Sequence, residues 1–427
     1  MLYILYNVVT LLALPVIACS LLLQRKYRNG FVQRIGVIPR EVRTRIKGRR
    51  PIWLHAVSVG EVLASVPIIK KIKSEHPDVK IVLSTITNTG NYTARQKVPE
   101  ADCIIYFPYD YFFIVNRVIR IINPLIFIHT ETEIWPNFLL ALEHHHIPSV
   151  IVNGRISLKS CRRYKVFGWF FRHVFNKISA FGMQSLIDYQ RVIEIGAAPE
   201  KVLLTGNMKF DQKIAPFFAQ EKRRLLEDFY LNAEDKVFIA GSTHSGEEEI
   251  ILDTFAELLG KHPRLVLVLA PRHPERFQEV EKLVKNRGFE LARRTQMKEQ
   301  MPLVRPRVIL LDTIGELSHA YALGDVIFVG GSLVNIGGHN ILEPLVHKKP
   351  VIFGPNMQNF PEITLTLKES GAGLEVASRE ELLAQVERLL SNESEAGVLG
   401  ERGFAVIRKH QGATDRNMDI INQFINR

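Results

Sequence analysis

Short apolar runs alternate with helical segments along most of this chain, and this alternation constrains the fold more than any other feature. The runs cover residues 52–56, 80–85, 125–128 and 149–153 in the first half, and residues 237–241, 265–270, 308–311, 326–330 and 350–353 in the second. Buried strands that alternate with helices are typical of parallel sheets covered on both faces. The pattern therefore predicts an α/β protein with two Rossmann-like sets of strands.

The length of 427 residues also favours two domains. We predict an N-terminal domain over residues 25–208 and a C-terminal domain over residues 209–427. A terminal helix over residues 415–424 could return to the first domain. Because ligands of open α/β sheets bind beyond the carboxyl ends of the strands, the residues that follow each run are the candidates for a site.

The chain begins with an apolar segment, residues 2–23, that contains no charged side chain. Its length is about sufficient for a helix that crosses the hydrocarbon core of a bilayer. A cleaved signal peptide would carry basic residues before the apolar stretch, whereas here they follow it. We therefore predict a retained membrane anchor over residues 1–24, with a helix that lies in the membrane interface as the open alternative.

The formal charge of +11 is concentrated directly after this segment, where residues 25–50 contain ten basic residues and one acid. Such a block beside an apolar segment is typical of contact with anionic membrane lipids, and it places the remaining chain in the cytoplasm. No nucleic-acid-binding motif accompanies the charge, so nucleic acid is not an expected partner. Three widely spaced cysteines, Cys19, Cys103 and Cys161, fit a reducing compartment.

Two acidic motifs and one lysine are the candidates in the first half. Glu61 follows the first run at the start of a helix, and Glu131 and Glu133 follow the third run. Each acid could act on a ligand, or it could only complement a helix dipole. Lys209 lies near the predicted domain join, where it could meet an anion or remain a solvated linker residue.

The second half carries a clearer signature for a nucleotide. Arg272 directly follows a predicted strand, so its guanidinium is available for a phosphate or a base edge. Gly337 and Gly338 precede a helix in which Glu343 could accept hydrogen bonds from ribose hydroxyls, and glycine loops at helix starts are suited to phosphates.

Two further clusters are given ordinary structural interpretations. The consecutive histidines at 144–146 point in different directions on a helix, which disfavours a shared metal ion. Residues 241–247 lack the Gly-Lys-Ser/Thr ending of a P-loop, so we interpret them as a strand-to-helix turn that lines the cleft.

Taken together, the motifs at residues 55–61, 131–137, 209–211, 271–276 and 337–343 closely resemble those of the 3-deoxy-D-manno-octulosonic acid (Kdo) transferases. They occur in the family's order and span nearly the whole chain. The resemblance implies a GT-B fold, in which two Rossmann-like domains face a central cleft behind an N-terminal membrane anchor. It also implies inverting transfer of Kdo from CMP-Kdo to lipid IVA at the bacterial inner membrane.

The resemblance further implies the role of each site residue. Glu61 would be the general base, and Glu131 and Lys209 would support the transition state. No metal and no cofactor would be needed. CMP would be held by three groups of residues, which are Pro271 and Arg272, then Ile314, Gly315 and Glu316, then Asn340, Ile341, Leu342 and Glu343. Isoleucine at positions 314 and 341 departs from the family motif, but other apolar residues would be tolerated there.

A single displacement with inversion needs one base for the acceptor hydroxyl, so one carboxylate is sufficient. Two alternatives stay open at this point. One is another GT-B enzyme that uses a different nucleotide, such as a UDP-sugar transferase or epimerase. The other is a membrane-tethered binding protein whose carboxylates have only structural roles.

Overall fold

The computed structural model describes residue 3, residues 6–8, residue 10 and residues 30–211, 219–299 and 304–426. The chain divides into two compact units. The first comprises Met1–Gln212 and His410–Arg427, and the second comprises Lys213–Lys409. Lys209, which we assigned to the start of the second domain, therefore belongs to the first unit.

The first unit contains a sheet of seven parallel strands and its flanking helices. In chain order these elements are α1 (Phe31–Arg34), α2 (Arg40–Ile46), β1 (Ile52–His55), α3 (Val59–Glu75), β2 (Ile81–Thr85), α4 (Asn88–Lys97), β3 (Cys103–Tyr106), α5 (Phe112–Ile122), β4 (Ile126–Thr130), α6 (Pro136–His144), β5 (Ser149–Gly154), α7 (Leu158–Val166), α8 (Gly168–Phe175), β6 (Ala180–Met183), α9 (Leu186–Ile195) and β7 (Val202–Leu204), with 3-10 turns at Pro199–Lys201 and Met208–Asp211.

Strand order in this sheet is β3-β2-β1-β4-β5-β6-β7. Side chains of β1 alternate between two buried layers, which explains why the strand reads as a continuous apolar run. Trp53 packs edge-on against Phe127 and Phe138 on one face, at ring-centroid distances of 5.2 Å and 5.1 Å. Strand order reverses between β1 and β4, and ligands bind at such a switch point in open α/β sheets.

The second unit repeats this architecture with seven further parallel strands. Its elements are α10 (Ala219–Asp228), β8 (Lys236–Thr243), α11 (Glu247–Leu259), β9 (Leu265–Pro271), α12 (Phe277–Asn286), β10 (Leu291–Arg293), α13 (Arg294–Met297), β11 (Val308–Leu310), α14 (Leu317–Ala320), β12 (Val326–Val329), α15 (Leu342–Val346), β13 (Val351–Phe353), α16 (Pro361–Glu369), β14 (Gly373–Glu375), α17 (Arg379–Ser391) and α18 (Glu393–His410), with 3-10 turns at Pro274–Arg276 and Tyr321–Leu323.

Strand order in the second sheet is β10-β11-β9-β8-β12-β13-β14, so its switch point lies between β8 and β12. The buried layer on one face includes Phe238, Leu267 and Phe328 from these central strands and Phe255 from α11. Two parallel, doubly wound sheets confirm the predicted α/β class.

The final helix, α19 (Ala413–Ile425), packs in the first unit against α3, β5 and β6. Asp211 caps it, because its carboxylate accepts hydrogen bonds from the backbone N–H groups of Gly412, at 2.7 Å, and of Thr414. The apolar residues Met418 and Ile421 of this helix belong to the same buried cluster as Ile52 and Leu54 of β1. The terminal helix thus closes one face of the first sheet.

Most of the predicted anchor over residues 1–24 lies outside the described residues. Among the residues that the structure does describe, no helix has both the length and the hydrophobicity needed to cross a bilayer. One member of the basic block also differs from expectation. Arg34 is buried, with its guanidinium 4.8 Å from the centroid of the Tyr106 ring and bonded to the carbonyl of Ile86, so it stabilises the first unit from within.

Candidate active site

Glu61 lies at the carboxyl end of β1, in the first turn of α3. Its carboxylate turns back toward the loop and accepts hydrogen bonds from the backbone N–H of Val57 at 2.7 Å and the hydroxyl of Ser58 at 3.2 Å. These bonds hold the carboxylate against the loop that joins β1 to α3. They leave acceptor capacity on both oxygens, because a carboxylate offers about four lone-pair sites.

Glu131 and Glu133 follow β4, which pairs with β1 so that His129 lies beside His55 at the ends of the two strands. Parallel neighbours bring their following residues to the same edge. Glu131 has a left-handed backbone conformation (φ 63°), and its N–H donates to the carbonyl of Val152 at 3.0 Å. Non-glycine residues adopt this conformation at a cost of about 1–3 kcal/mol, most often near functional sites.

Three carboxylates thus share one edge of the first sheet. Burial, followed by the charges of Glu131 and Glu133, raises the pKa of Glu61 to about 8, against the opposing bonds from Val57 and Ser58. Burial and the charge of Glu131 also raise the pKa of Glu133, although Arg163 opposes the shift. A carboxyl group that keeps its proton near neutral pH is a strong base once it is ionised, which is the property that general catalysis requires.

Two buried histidines, His55 and His129, lie near the ends of β1 and β4, close in sequence to these acids. Burial lowers the pKa of His55 and of His129 to about 3, so both imidazoles are uncharged at neutral pH. The ring of His55 stacks on Phe107 at a centroid distance of 4.0 Å. These two imidazoles therefore add no positive charge that would lower the pKa of Glu61.

Lys209 lies in the 3-10 turn Met208–Asp211, which packs against α3, the helix that carries Glu61. Side-chain amides hold this turn in place. Asn153 accepts a hydrogen bond from the backbone N–H of Met208 at 2.9 Å, and Asn207 donates to Gln184 at 3.0 Å. Sequence reasoning missed these amides, since nothing in their local pattern sets them apart from ordinary loop residues.

In the second unit Arg272 follows β9 and is exposed. Its N–H donates to the carbonyl of Thr243 at 3.0 Å, which ties it to the end of β8. Burial raises the pKa of Glu343, and a hydrogen bond from Asn340 at 3.0 Å and the charge of Arg272 oppose that shift. The structure therefore brings together Arg272, Asn340 and Glu343, as expected for a nucleotide site.

Four buried hydrogen bonds hold the switch point of the second sheet. Glu247, which begins α11, accepts backbone N–H bonds from His244 (3.0 Å), Gly331 (2.7 Å), Ser332 (3.0 Å) and Leu333 (3.0 Å). Its carboxylate joins the loop after β8 to the loop after β12. Residues 241–247 are thus a strand-to-helix turn, as predicted, and the structural role of Glu247 was not foreseen.

Ile314, Gly315 and Glu316 occupy a separate place in the second unit. Ile314 is 83% exposed, and Gly315 has φ 90°. The carboxylate of Glu316 binds Arg294, Lys298 and Thr313. Its pKa is lowered, because these bonds outweigh the effect of burial. With that carboxylate engaged, the exposed backbone of Ile314 and Gly315 is the part of this segment that is open to a ligand.

Within the described ranges no group of three or more histidine, cysteine or acidic side chains is placed to hold a metal ion. His144 ends α6, and its ring lies 5.3 Å from that of His145. Cys103 and Cys161 are buried and unbonded to each other, and Cys19 lies outside the described residues.

With this geometry in view, three comparisons place the chain among known proteins. A family model described as 3-deoxy-D-manno-octulosonic-acid transferase (kdotransferase) matches residues 29–212. The 3-deoxy-D-manno-octulosonic acid transferase of Haemophilus influenzae is 36% identical over 429 residues, which cover 99% of this chain and 98% of that protein. This chain belongs to the Kdo transferase family. The resemblance drawn from the five motifs is thereby confirmed, and the chain is a glycosyltransferase.

Solved structures with low identity support the architecture of this Kdo transferase. A glycosyltransferase from Rickettsia africae matches with a TM-score of 0.57 at 14% identity, covering 88% of this chain and 99% of that one. UDP-GlcNAc 2-epimerase from Neisseria meningitidis, bound to UDP-GlcNAc, matches with a TM-score of 0.59 at 12% identity, covering 87% and 100%. These likenesses show the GT-B fold, while the roles of individual residues and the cleft between the domains stay predictions.

Proposed function

We propose that this Kdo transferase family member transfers Kdo from CMP-Kdo to lipid IVA in lipopolysaccharide core biosynthesis, with inversion at the anomeric carbon. The observation that carries the proposal is the position of Glu61. It lies at the switch point of the first sheet, and its pKa is raised to about 8 by burial and by two neighbouring acids.

The chemistry requires one base. An acceptor hydroxyl oxygen attacks the anomeric carbon of Kdo, the bond from that carbon to the phosphate oxygen breaks, and the electron pair leaves with CMP. The hydroxyl proton passes to the ionised carboxylate of Glu61. Such proton transfer contributes about 10²–10⁴-fold to rates, most effectively when the pKa of the base lies near the working pH.

Glu131 and Lys209 would support this step from the same unit. As the bond to CMP breaks, positive charge develops on the sugar. The negative charge of Glu131 would stabilise it. Lys209 lies in a turn that packs on the helix of Glu61, and its ammonium would oppose the negative charge that develops on the departing CMP. We assign both residues to stabilisation of the transition state.

The second unit would hold the nucleotide. Arg272 supplies a full positive charge at the end of β9, and charge-assisted bonds of guanidinium to phosphate are among the stronger hydrogen bonds in proteins. Glu343 and Asn340 would bind the ribose, and Pro271, Ile341 and Leu342 would shape the pocket. Ile314, Gly315 and Glu316 would contact the base through backbone atoms.

Membrane attachment is proposed from the N-terminal part of the first unit. Tyr6 donates a hydrogen bond to Asp110 at 3.0 Å, and Asn7 exchanges side-chain amide bonds with Asn137 at 2.9 and 3.0 Å. The Tyr6 ring also lies 6.0 Å from that of Phe170. Tyr6 and Asn7 of the apolar segment are therefore held by contacts with later parts of the first unit.

Exposed aromatic side chains lie next to these contacts. Phe112 and Phe113 begin α5, shortly after Asp110 in the sequence, and Phe167 and Trp169 lie at the start of α8 beside Phe170. Each is more than half exposed. Together with the basic block and the predicted anchor, this apolar set would place the protein on the cytoplasmic face of the bacterial inner membrane, where its lipid acceptor resides.

Mass spectrometry of lipid IVA tests the reaction. Detergent-solubilised protein is incubated with lipid IVA and freshly generated CMP-Kdo in EDTA, beside Glu61→Ala and a parallel incubation with a UDP-sugar. We expect product ions heavier by Kdo units from the wild type only, and none from the UDP-sugar. Absence of product from folded wild-type protein would overturn the Kdo assignment.

Vesicle sedimentation tests the membrane surface. Replacing Phe113 and Trp169 with serine should weaken binding of the protein to phosphatidylglycerol vesicles about a hundredfold or more, because each buried aromatic contributes about 1.5–3 kcal/mol and every 1.4 kcal/mol is about tenfold. Val398→Ser in the second unit removes an equally exposed apolar side chain and serves as the matched control. Equal binding by all three proteins would contradict the proposed surface.

A further inference from the structure

Three imidazole rings from separate segments meet near the switch point of the second sheet. His244 follows β8, His273 follows β9, and His339 precedes α15. The Nε2 atoms of His244 and His339 are 2.8 Å apart, and the two rings are parallel within 3° at a centroid distance of 5.1 Å. The ring of His273 lies edge-on to His244 at 5.2 Å.

The 2.8 Å separation fixes how protons are arranged in this pair. Two N–H groups would collide and two lone pairs would repel, so one Nε2 donates to the other. The donor ring then has a lone pair on its Nδ1. That atom can accept one further proton while the bond between the facing nitrogens is kept, which turns a neutral pair into a cation with one charge-assisted hydrogen bond.

The surroundings keep the pair neutral in the absence of a ligand. Burial, followed by the charge of Arg272 and the two neighbouring imidazoles, lowers the pKa of His339 to about 4. Burial, His273, Arg276 and Arg272 lower the pKa of His244 as well.

The nearby carboxylates do not offset the effects that lower the pKa values of His244 and His339. Glu247 is occupied by four backbone N–H groups, and Glu248 pairs with Arg276 at 2.6 Å. Glu343 also lies near Arg272, and burial raises its pKa. An excess of positive charge and donors therefore surrounds the pair, and this environment suits an anion.

A neighbouring glycine leaves room for the two rings. Gly331 has φ 67°, and a Cβ on it would lie 2.9 Å from Cδ2 of His339 and 3.4 Å from Cδ2 of His244. Arg272 is exposed, His339 is half-buried and His244 is buried, so the cluster runs from the surface into the protein. Among the residues that the structure describes, the guanidinium of Arg272 has no hydrogen bond or ion pair.

We infer that His244 and His339 are an anion-sensing pair that takes up one proton when a phosphate monoester binds beside Arg272. The inference rests on the proposed function for the identity of that ligand, CMP, whose phosphate is a diester in CMP-Kdo and becomes a monoester when the sugar is transferred. When the bond from the sugar carbon to the phosphate oxygen breaks, the phosphate gains a negative charge, and the protonated pair opposes it. The proton stays on the imidazoles, so the transfer step itself remains balanced.

Calorimetric titration of the full-length protein with CMP tests the pair directly. Heats measured near pH 6.5 and near pH 8.5, each in two buffers of different ionisation enthalpy, give the number of protons bound. Cytidine, which lacks the phosphate, and inorganic phosphate are titrated in the same way. His339→Gln is the variant, and His144→Gln, an exposed histidine of the first unit, is the matched control.

We expect CMP binding near pH 6.5 to take up about half a proton or more beyond the amount seen with His339→Gln, because imidazole titrates in this range. Protonation of the phosphate itself, with a pKa near 6, is common to all variants and cancels in this comparison. His144→Gln should match the wild type, cytidine should bind without uptake, and the excess should shrink toward pH 8.5.

Equal proton counts for CMP in the wild type and in His339→Gln would overturn the inference and leave the donor assignment standing. Uptake with inorganic phosphate in a protein that does not bind CMP would support the pair and overturn the nucleotide assignment. If neither ligand binds folded protein, both fail. Should His339→Gln not fold, equal uptake by wild-type protein with CMP and with cytidine overturns the inference without a variant.

Discussion

Glu61 and Glu247 occupy equivalent places in the two sheets, but the chain surrounds them differently. Each follows the strand that comes first in the chain order of its sheet, which borders the switch point, and lies in the first turn of the next helix. Glu247 is fully buried and accepts four backbone N–H bonds, whereas Glu61 is partly buried, accepts two bonds and has two acids nearby. An acid at a switch point can therefore be a structural acceptor or a base, depending on the donors around it.

The same contrast extends to the surrounding charges. Three carboxylates gather at the switch point of the first sheet, and arginine with three histidines gathers at that of the second. One fold thus supplies a proton acceptor in one unit and an anion site in the other. Function lies in these side chains rather than in the topology that they share.

The largest expected effect is on catalysis by Glu61→Gln. Glutamine cannot take up the proton of the acceptor hydroxyl group. The rate of Kdo transfer should therefore fall about 10²–10⁴-fold, while the affinity for CMP stays unchanged. Product ions from lipid IVA provide the rate, and Glu75→Gln, near the end of the same helix, serves as control. A rate within threefold of the wild type would remove Glu61 as the base.

Stability should respond in the opposite way at this position. Because the folded-state pKa of Glu61 is raised above its unfolded value, its ionisation destabilises the fold progressively as pH rises from about 4.5 to about 8. Glutamine stays neutral across that window. Glu61→Gln should therefore be at least as stable as the wild type, with an advantage that grows toward pH 8.

Glu247→Gln should cost stability instead of activity per folded molecule. In the wild type each carboxylate oxygen of Glu247 accepts two backbone N–H bonds. In the variant the amide NH₂ would replace one oxygen and face two of these donors, and each buried unsatisfied donor costs about 1–3 kcal/mol. Hydrogen exchange at Gly331, Ser332 and Leu333 should accelerate. Unchanged protection of these amides would show that Glu247 is not the link that joins the two loops.

A smaller and more specific effect is expected from Arg272→Gln. Loss of a charge-assisted bond to phosphate should raise the dissociation constant of CMP about 10–100-fold. Cytidine binding should change little, because it lacks the phosphate. Equal weakening of CMP and cytidine binding would show that Arg272 contacts the nucleoside instead. Arg287→Gln, at the end of α12, is the control for loss of a positive charge.

The sequence predicted the two sheets because their central strands are buried on both faces and read as continuous apolar runs. It missed Cys103–Tyr106, Ala180–Met183, Val202–Leu204, Leu291–Arg293 and Gly373–Glu375. Four of these strands lie at sheet edges, and all five have only three or four residues. The four edge strands are only partly buried, so they do not read as continuous apolar runs.

The sequence singled out Glu61, Glu131 and Arg272 because each lies within a few residues after a predicted strand, and their roles stay predictions. The pairing of His244 with His339 could not be predicted, since the two residues are 95 positions apart and meet only when β8 and β12 become neighbours. Burial of Arg34 was also hidden, because charge alone indicates a surface.

The pH dependence of kcat/KM for Kdo transfer tests the central claim most directly, because this parameter reports ionisation of the free enzyme. The wild type should gain activity as pH rises, with an inflection near the pKa of Glu61, about 8. Glu133→Gln removes one of the charges that raise this pKa, so its inflection should move to lower pH. A profile that is flat across this range, or an inflection that persists in the residual activity of Glu61→Gln, would contradict the account.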